Sequence, residues 1–213
     1  MGETTPDVII CMDDLSEALE TRYLASKTLA VDCETLGLVV PRDRLCLVQM
    51  CNEDGVACLV QIRNYRAPRL KRVLEAQSVE KLFHFARYDL ATLRHWLGIY
   101  VAPVFCTKIA SKLVRTYTDG HGLKDVVREL VGVELDKQQQ SSDWAAETLT
   151  PEQVDYALSD VLYLVEVKTK LEAMLQRENR LELAKQTMAF LPTRVALDLA
   201  GWEEHDIFSH RSR

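Results

Sequence analysis

Three apolar segments of strand length, TLAVDCET (28–35), RLCLVQMC (44–51) and GVACLVQI (55–62), follow one another closely, with the turn sequence NEDG before the third. Runs this short, rich in branched residues and separated by polar turns, pair as neighbouring antiparallel strands, so the centre of the fold is expected to be a meander. Further strands are expected at about 7–12 and over EKLFHFA (80–86), with helices beginning near DDLSEALE, after Pro68, and through RYDLATLRHWLG to a stop at Gly98. From Gly122 onward the chain reads as helical. The segment TPEQVDYALSDVLYLVEVKTKLEAMLQ (150–176) opens with Thr150 as N-cap, Pro151 at the first helical position and Gln153 completing a capping box, and it predicts one long helix. A meander that passes into strand–helix alternation and closes with helices specifies an α/β layer fold, a mixed sheet flanked by helices. Such sheets collect chemistry at strand ends and adjoining helix termini.

The chain of 213 residues suffices for one well-packed domain, and its 47% apolar and 27% charged content is that of an ordinary globular protein. No run approaches the roughly 20 apolar residues of a membrane span. The start MGETTPDVII lacks the basic and apolar parts of a signal peptide, so no membrane partner and a cytoplasmic location are expected. The six cysteines form no C-x-x-C pair and read as small buried hydrophobes rather than as a zinc or disulfide framework. A net charge of −6 argues against gripping long duplexes through a wide basic face. Local basic clusters occur at RNYRAPRLKR (63–72) and at Arg42 and Arg44; each is either a solvated face or a phosphate-steering patch.

The first apolar segment carries Asp32 and Glu34. Strand alternation points both the same way, with Cys33 opposed, and two like charges on one face need a cation between them or an exposed strand end. Asp89 lies three residues beyond the strand EKLFHFA, where it either caps a helix or serves a site. Asp160 shares a helix face with Tyr156, and its neighbours Ala157, Val161 and Leu164 mark that face as inward. An inward carboxylate without a lysine or arginine partner requires another cation. Clustered hard oxygens of this kind suit Mg²⁺ or Mn²⁺ and two-metal phosphodiester hydrolysis, with the ions about 4 Å apart and a phenol orienting or deprotonating the attacking water.

In order and spacing, VDCETLG, HFARYDL and YALSD resemble the three motifs of the DEDDy 3′–5′ exonucleases, over about residues 28–165, and QSSDWAAETLTPEQVDYALSDVLYL resembles the ribonuclease D branch. The resemblance implies the ribonuclease H-like exonuclease fold. It also implies that Asp32, Glu34, Asp89 and Asp160 hold two divalent cations, with Asp32 bridging and Tyr156 in the phenol position. By the same likeness Thr35 would bond the substrate 3′ end through its backbone, and Leu38 would wedge between the last two bases; their plain alternative is a strand end and a core leucine. Phe85 stands where many relatives have asparagine. His84 and Phe85 either stack on a base or, for Phe85 above all, fill the core.

Full ribonuclease D carries further helical modules that do not fit in the residues following the long helix. An acidic chain with DCETLGLVVPRDRLCLVQ and SSDWAAETLT is instead similar to the compact nanoRNase C group, whose members degrade very short RNA, dinucleotides above all, and assemble as a ring of eight subunits. The expected function is metal-dependent 3′–5′ hydrolysis of short oligoribonucleotides. Alternatives are a ribonuclease D-like activity on longer single-stranded RNA or DNA, or a non-catalytic binding or assembly module. The expected organisation is an exonuclease domain over 1–178 and a C-terminal helix and tail over 179–213, packing on that domain or at a homo-oligomer interface.

Overall fold

The computed structural model describes residues 8–136, 139 and 142–210; the Gln140–Ser141 part of the ribonuclease D-like stretch and the end of the tail beyond 210 lie outside the described residues. Among the described residues a sheet runs in the order β1-β4-β3-β2-β5-β6. Its strands are β1 (Val8–Met12), β2 (Thr28–Thr35), β3 (Leu45–Asn52), β4 (Ala57–Gln61), β5 (Glu80–Phe83) and β6 (Val104–Cys106). β2, β3 and β4 form the expected antiparallel meander, whereas β1 runs parallel to β4, and β5 and β6 run parallel to β2. The sheet is thus mixed, and helices cover it. Every residue of β3 and β4 is buried, as their nearly unbroken apolar character requires of central strands.

Helices α1 (Glu17–Leu24), α2 (Pro68–Glu75) and α3 (Ala86–Leu97) stand where the sequence places them. Ser16 caps α1 by accepting from the Leu19 N–H, and Gly98 ends α3 at φ 63°, the left-handed conformation that glycine adopts without steric cost. Between β5 and α3 the expected strand stops early. Phe83 is its last residue, and Phe85 takes φ 74°, turning the chain so that α3 starts at Ala86.

Three further departures have physical reasons. β6 and α4 (Thr107–Val114) are absent from the sequence expectation because a three-residue strand and a two-turn helix give too few repeats of either period. α5 (Leu123–Leu130) is helical as expected but ends by Gly132 at φ 85°, and the described residues between Gly132 and Thr150 form no further helix or strand. The long helix is broken at Tyr163 into α6 (Pro151–Leu162) and α7 (Leu164–Arg177). The buried positions Ala157, Val161, Leu164, Val167, Leu171 and Leu175 keep helical spacing through the break, so the pattern alone reads as one helix. The capping box at Thr150 and Gln153 is formed in both directions, at 2.9 and 3.2 Å.

After α7, α8 (Leu181–Ala189) and α9 (Leu191–Leu197) fold back. Met188 sulfur accepts from the Cys106 N–H at 3.4 Å, and Arg87 of α3 pairs with Asp198 beyond α9 at 2.6 Å. The basic run at 63–72 is mostly engaged with the protein: Arg72 and Arg69 pair with Glu20, Lys71 pairs with Glu75, and Arg63 donates to the Glu147 carbonyl. Arg42 is held by Asp43. The described cysteines are all free thiols, and Cys11 alone among them is not buried.

Candidate active site

Alternation along β2 turns Asp32 and Glu34 to one face, and α6 packs over that part of the sheet with Asp160 directed at the same point. One oxygen from each of Asp32, Glu34 and Asp160 lies within 4.8 Å of the others, a spacing compatible with a shared cation. Tyr156, one helical turn before Asp160, feels the charge of that carboxylate, and its ring packs against the buried Trp144 with centroids 5.9 Å apart. The register of β2 slips between Glu34 and Thr35, so the strand bends away just past the two acids.

Asp89, in the first turn of α3, is buried and stands apart from this triad. Cys33, the residue facing away from Asp32 and Glu34, is its neighbour and works against the upward push of burial on its carboxyl. Asp89 still acts on Asp32 through its charge.

Loss of solvent pushes the carboxyl of Asp32 well above the usual range, and the charges acting on it, those of Asp89, Asp160 and Glu34, are all of its own sign and push it further. Glu34 is raised to about 9 by burial and by Asp160, with a hydrogen bond from Gln49 opposing. Asp89 is raised chiefly by burial. Tyr156 is raised by burial, then by Asp160, Glu34 and Asp32. Acids so arranged either hold protons or share cations. Oxygen-only donors at this spacing fit hard divalent ions such as Mg²⁺ or Mn²⁺.

The acids open into a cleft of about 610 Å³, to which Thr35, Leu38 and His84 contribute. Leu38 is 82% exposed, which removes the core reading for it. Thr35 Oγ1 lies 2.6 Å from the phenol oxygen of Tyr88, and His84 Nδ1 lies 2.9 Å from Thr107 Oγ1. Phe85 departs from the core reading: it is 45% exposed, and it lines a neighbouring cavity with Val40 and Arg87. The reason is its left-handed backbone, which swings the ring outward to lie beneath the Lys108 ammonium at 4.6 Å.

Other residues at the site escaped the sequence reading. Tyr88, Lys108 and Lys124 line the cleft, and Gln49 reaches two of the acids from β3. Gln49 did carry a signal, an amide within an apolar strand; the lysines, lying on α4 and α5, carried none.

Residues 8–176 match the 3′-5′ exonuclease family. The chain belongs to that family. Among curated exonuclease relatives, ribonuclease D of Gluconacetobacter diazotrophicus is 31% identical over 191 residues, covering 89% of this chain and 48% of that protein. The chain spans about half the length of the curated ribonucleases D it matches. Two solved structures align along nearly the whole exonuclease. Brucella melitensis NrnC bound to pGG superposes with TM-score 0.91 at 49% identity, covering 96% of this chain and 98% of that one. Brucella melitensis NrnC with bound Mg²⁺ gives TM-score 0.90 at 48% identity, covering 96% and 99%.

Proposed function

We propose that the protein is a metal-dependent 3′–5′ exoribonuclease that hydrolyses short oligoribonucleotides, dinucleotides above all, to nucleoside monophosphates. The observation that carries this reading is the convergence of Asp32, Glu34 and Asp160 within 4.8 Å, with Tyr156 one helical turn before the last of them and lining the same cleft. Asp32, Glu34, Asp89 and Asp160 would hold two divalent cations. Those cations, when bound, would supply Lewis-acid polarisation of the scissile phosphate and acidification of a water. Tyr156 would orient the attacking water in line with phosphorus; as the P–O bond to the 3′ oxygen of the preceding nucleotide breaks, the water gives its proton to solvent and the 3′ oxygen takes one up, releasing a nucleoside 5′-monophosphate. Leu38, held out in solvent, is suited to pack against an unstacked base; Thr35 and His84 flank the same space.

A small substrate is favoured by two features. The cleft volume is in the range of pockets that enclose a compact ligand, and the chain as a whole is acidic, so it offers little counter-charge to a long strand. The likeness to NrnC, which has been seen with pGG, supports the same choice. Residues 1–178 would form the catalytic unit, with 179–213 packed on it or on another copy. Association of copies is supported by the exposed side chains of Trp202, Ile207 and Phe208, and a ring of eight by the group resemblance alone. Among the described residues no helix is long and apolar enough to cross a membrane, and the free thiols are in keeping with a reducing cytoplasm.

Cleavage of labelled two-, seven- and twenty-nucleotide RNA with Mn²⁺, and again with chelator, tests the reading. Fastest turnover of the dinucleotide, lost on chelation, is expected. Equal rates at every length would favour the ribonuclease D-like alternative, and no cleavage of any substrate would favour a binding module.

A further inference from the structure

Gln49 is fully buried in the middle of β3, among leucine, valine, methionine and cysteine. The β2–β3 register sets it directly opposite Asp32. Its amide nitrogen lies 3.0 Å from Asp32 Oδ2 and 3.3 Å from Glu34 Oε1, so the two N–H bonds of one group reach two carboxylates on the neighbouring strand. The carbonyl oxygen of the same amide is buried without a hydrogen-bond partner among the described residues.

An unpartnered buried acceptor costs free energy that leucine or methionine in this position would avoid. Rotating the amide end for end would relieve nothing, because it would set the carbonyl against two carboxylate oxygens. The group is therefore oriented for its donors at the expense of its acceptor. A lysine or arginine there would supply the positive charge itself and compete with a cation. An asparagine, one methylene shorter, would draw back from both acids. Glutamine satisfies one oxygen of each carboxylate, stays neutral, and leaves the second oxygen of each for a cation.

We infer that Gln49 is a positioning residue that fixes the spacing and orientation of Asp32 and Glu34 for divalent-cation binding without ligating the ion. The inference rests on the reading of these acids as a metal site. Carboxylate ligands are commonly oriented by such outer hydrogen bonds, whose loss weakens metal binding by about 10–100-fold.

The test measures Mn²⁺ binding to the full chain by titration calorimetry, with melting in chelator as the check on folding. Gln49→Met keeps the volume and removes both donors; Gln49→Asn keeps the amide and withdraws it. Mn²⁺ affinity is expected to fall about 10–100-fold in the first variant and about tenfold in the second, with melting in chelator near that of the wild type. The Mn²⁺ electron paramagnetic resonance spectrum is expected to change shape in both. Wild-type affinity and spectrum in Gln49→Met would overturn the inference, whatever happens to turnover. Should that variant not fold, wild-type affinity in Gln49→Asn overturns it instead. Wild-type protein that binds no Mn²⁺ would sink the metal reading itself, a result distinct from variants that bind as well as the wild type does.

Discussion

The phenol of Tyr88 donates to the carbonyl of Gly37 at 2.8 Å, tying the first turn of α3 to the loop that carries Leu38. The same loop is fastened elsewhere. Asp43 accepts from the Val39 N–H at 2.9 Å, and Trp96 donates to the Val40 carbonyl at 3.0 Å. Gly37 packs so closely on the Asp43 carboxylate that a Cβ there would lie 2.2 Å from an oxygen. If Leu38 packs on a base as proposed, a loop pinned at several points lowers the ordering cost of binding. Tyr88→Phe is expected to raise KM for dinucleotide about five-fold, the equivalent of about 1 kcal/mol for one hydrogen bond, with kcat nearly unchanged. Leu38→Ala is expected to act in the same direction and more strongly. Steady-state kinetics on a labelled dinucleotide checks both, and an unaltered KM in Leu38→Ala would remove that residue from the binding site.

Asp160→Asn is expected to abolish turnover while stabilising the chelated protein. The substitution removes a charge that raises Asp32, Glu34 and Tyr156, so the metal-free fold loses repulsion. A gain of about 1 kcal/mol corresponds to a melting point about 2–4 °C higher for a chain of this size. Scanning calorimetry in chelator, beside a turnover assay, reads both effects; residual wild-type turnover would contradict the site.

Tyr156→Phe is expected to slow hydrolysis about 100-fold, within the span of a positioned acid–base or water-orienting group, and to leave Mn²⁺ affinity within about two-fold. Calorimetric titration separates this outcome from a ligand role, since a ligand's removal would weaken Mn²⁺ as well.

Stability of the chelated protein should depend on pH in a definite sense. Glu34 is raised in the folded state to about 9 from 4.5, and Asp32 and Asp89 are raised as well. A group raised on folding contributes stability that is complete below its unfolded pKa and is lost as pH climbs toward its folded pKa. Melting temperature in chelator is therefore expected to fall between about pH 5 and pH 9. Mn²⁺ should restore more stability at pH 8 than at pH 5, because protons and cation compete for the same oxygens. A flat profile in chelator would mean that the acids lie further apart or wetter than described.

Much of this arrangement was legible in the sequence because it rests on short-range rules. The alternation that pairs Asp32 with Glu34 and opposes Cys33 is a property of any strand, and β2 spans the expected Thr28–Thr35. Tyr156 and Asp160 share a face because four residues make about one helical turn. The break at Tyr163 was not legible, since apolar spacing continues across it. Nor was the outward turn of Phe85, which depends on one left-handed residue at a strand–helix junction. Gln49 belongs to a third kind: its partners are set by strand register, and register is written jointly in two segments rather than in either one.

The clasp between Arg87 and Asp198 bears on how the protein can be handled. Asp198 also accepts from Arg194, so the chain beyond α9 is buckled to α3 two residues before Asp89. Breaking these pairs would release the chain beyond α9 from the first turn of α3, where Asp89 also lies. Affinity handles, fluorophores or surface tethers joined close to Asp198 should be chosen with that in mind, whereas the Asp54–Gly55 hairpin tip between β3 and β4 offers an attachment point on a turn that takes no part in the cleft.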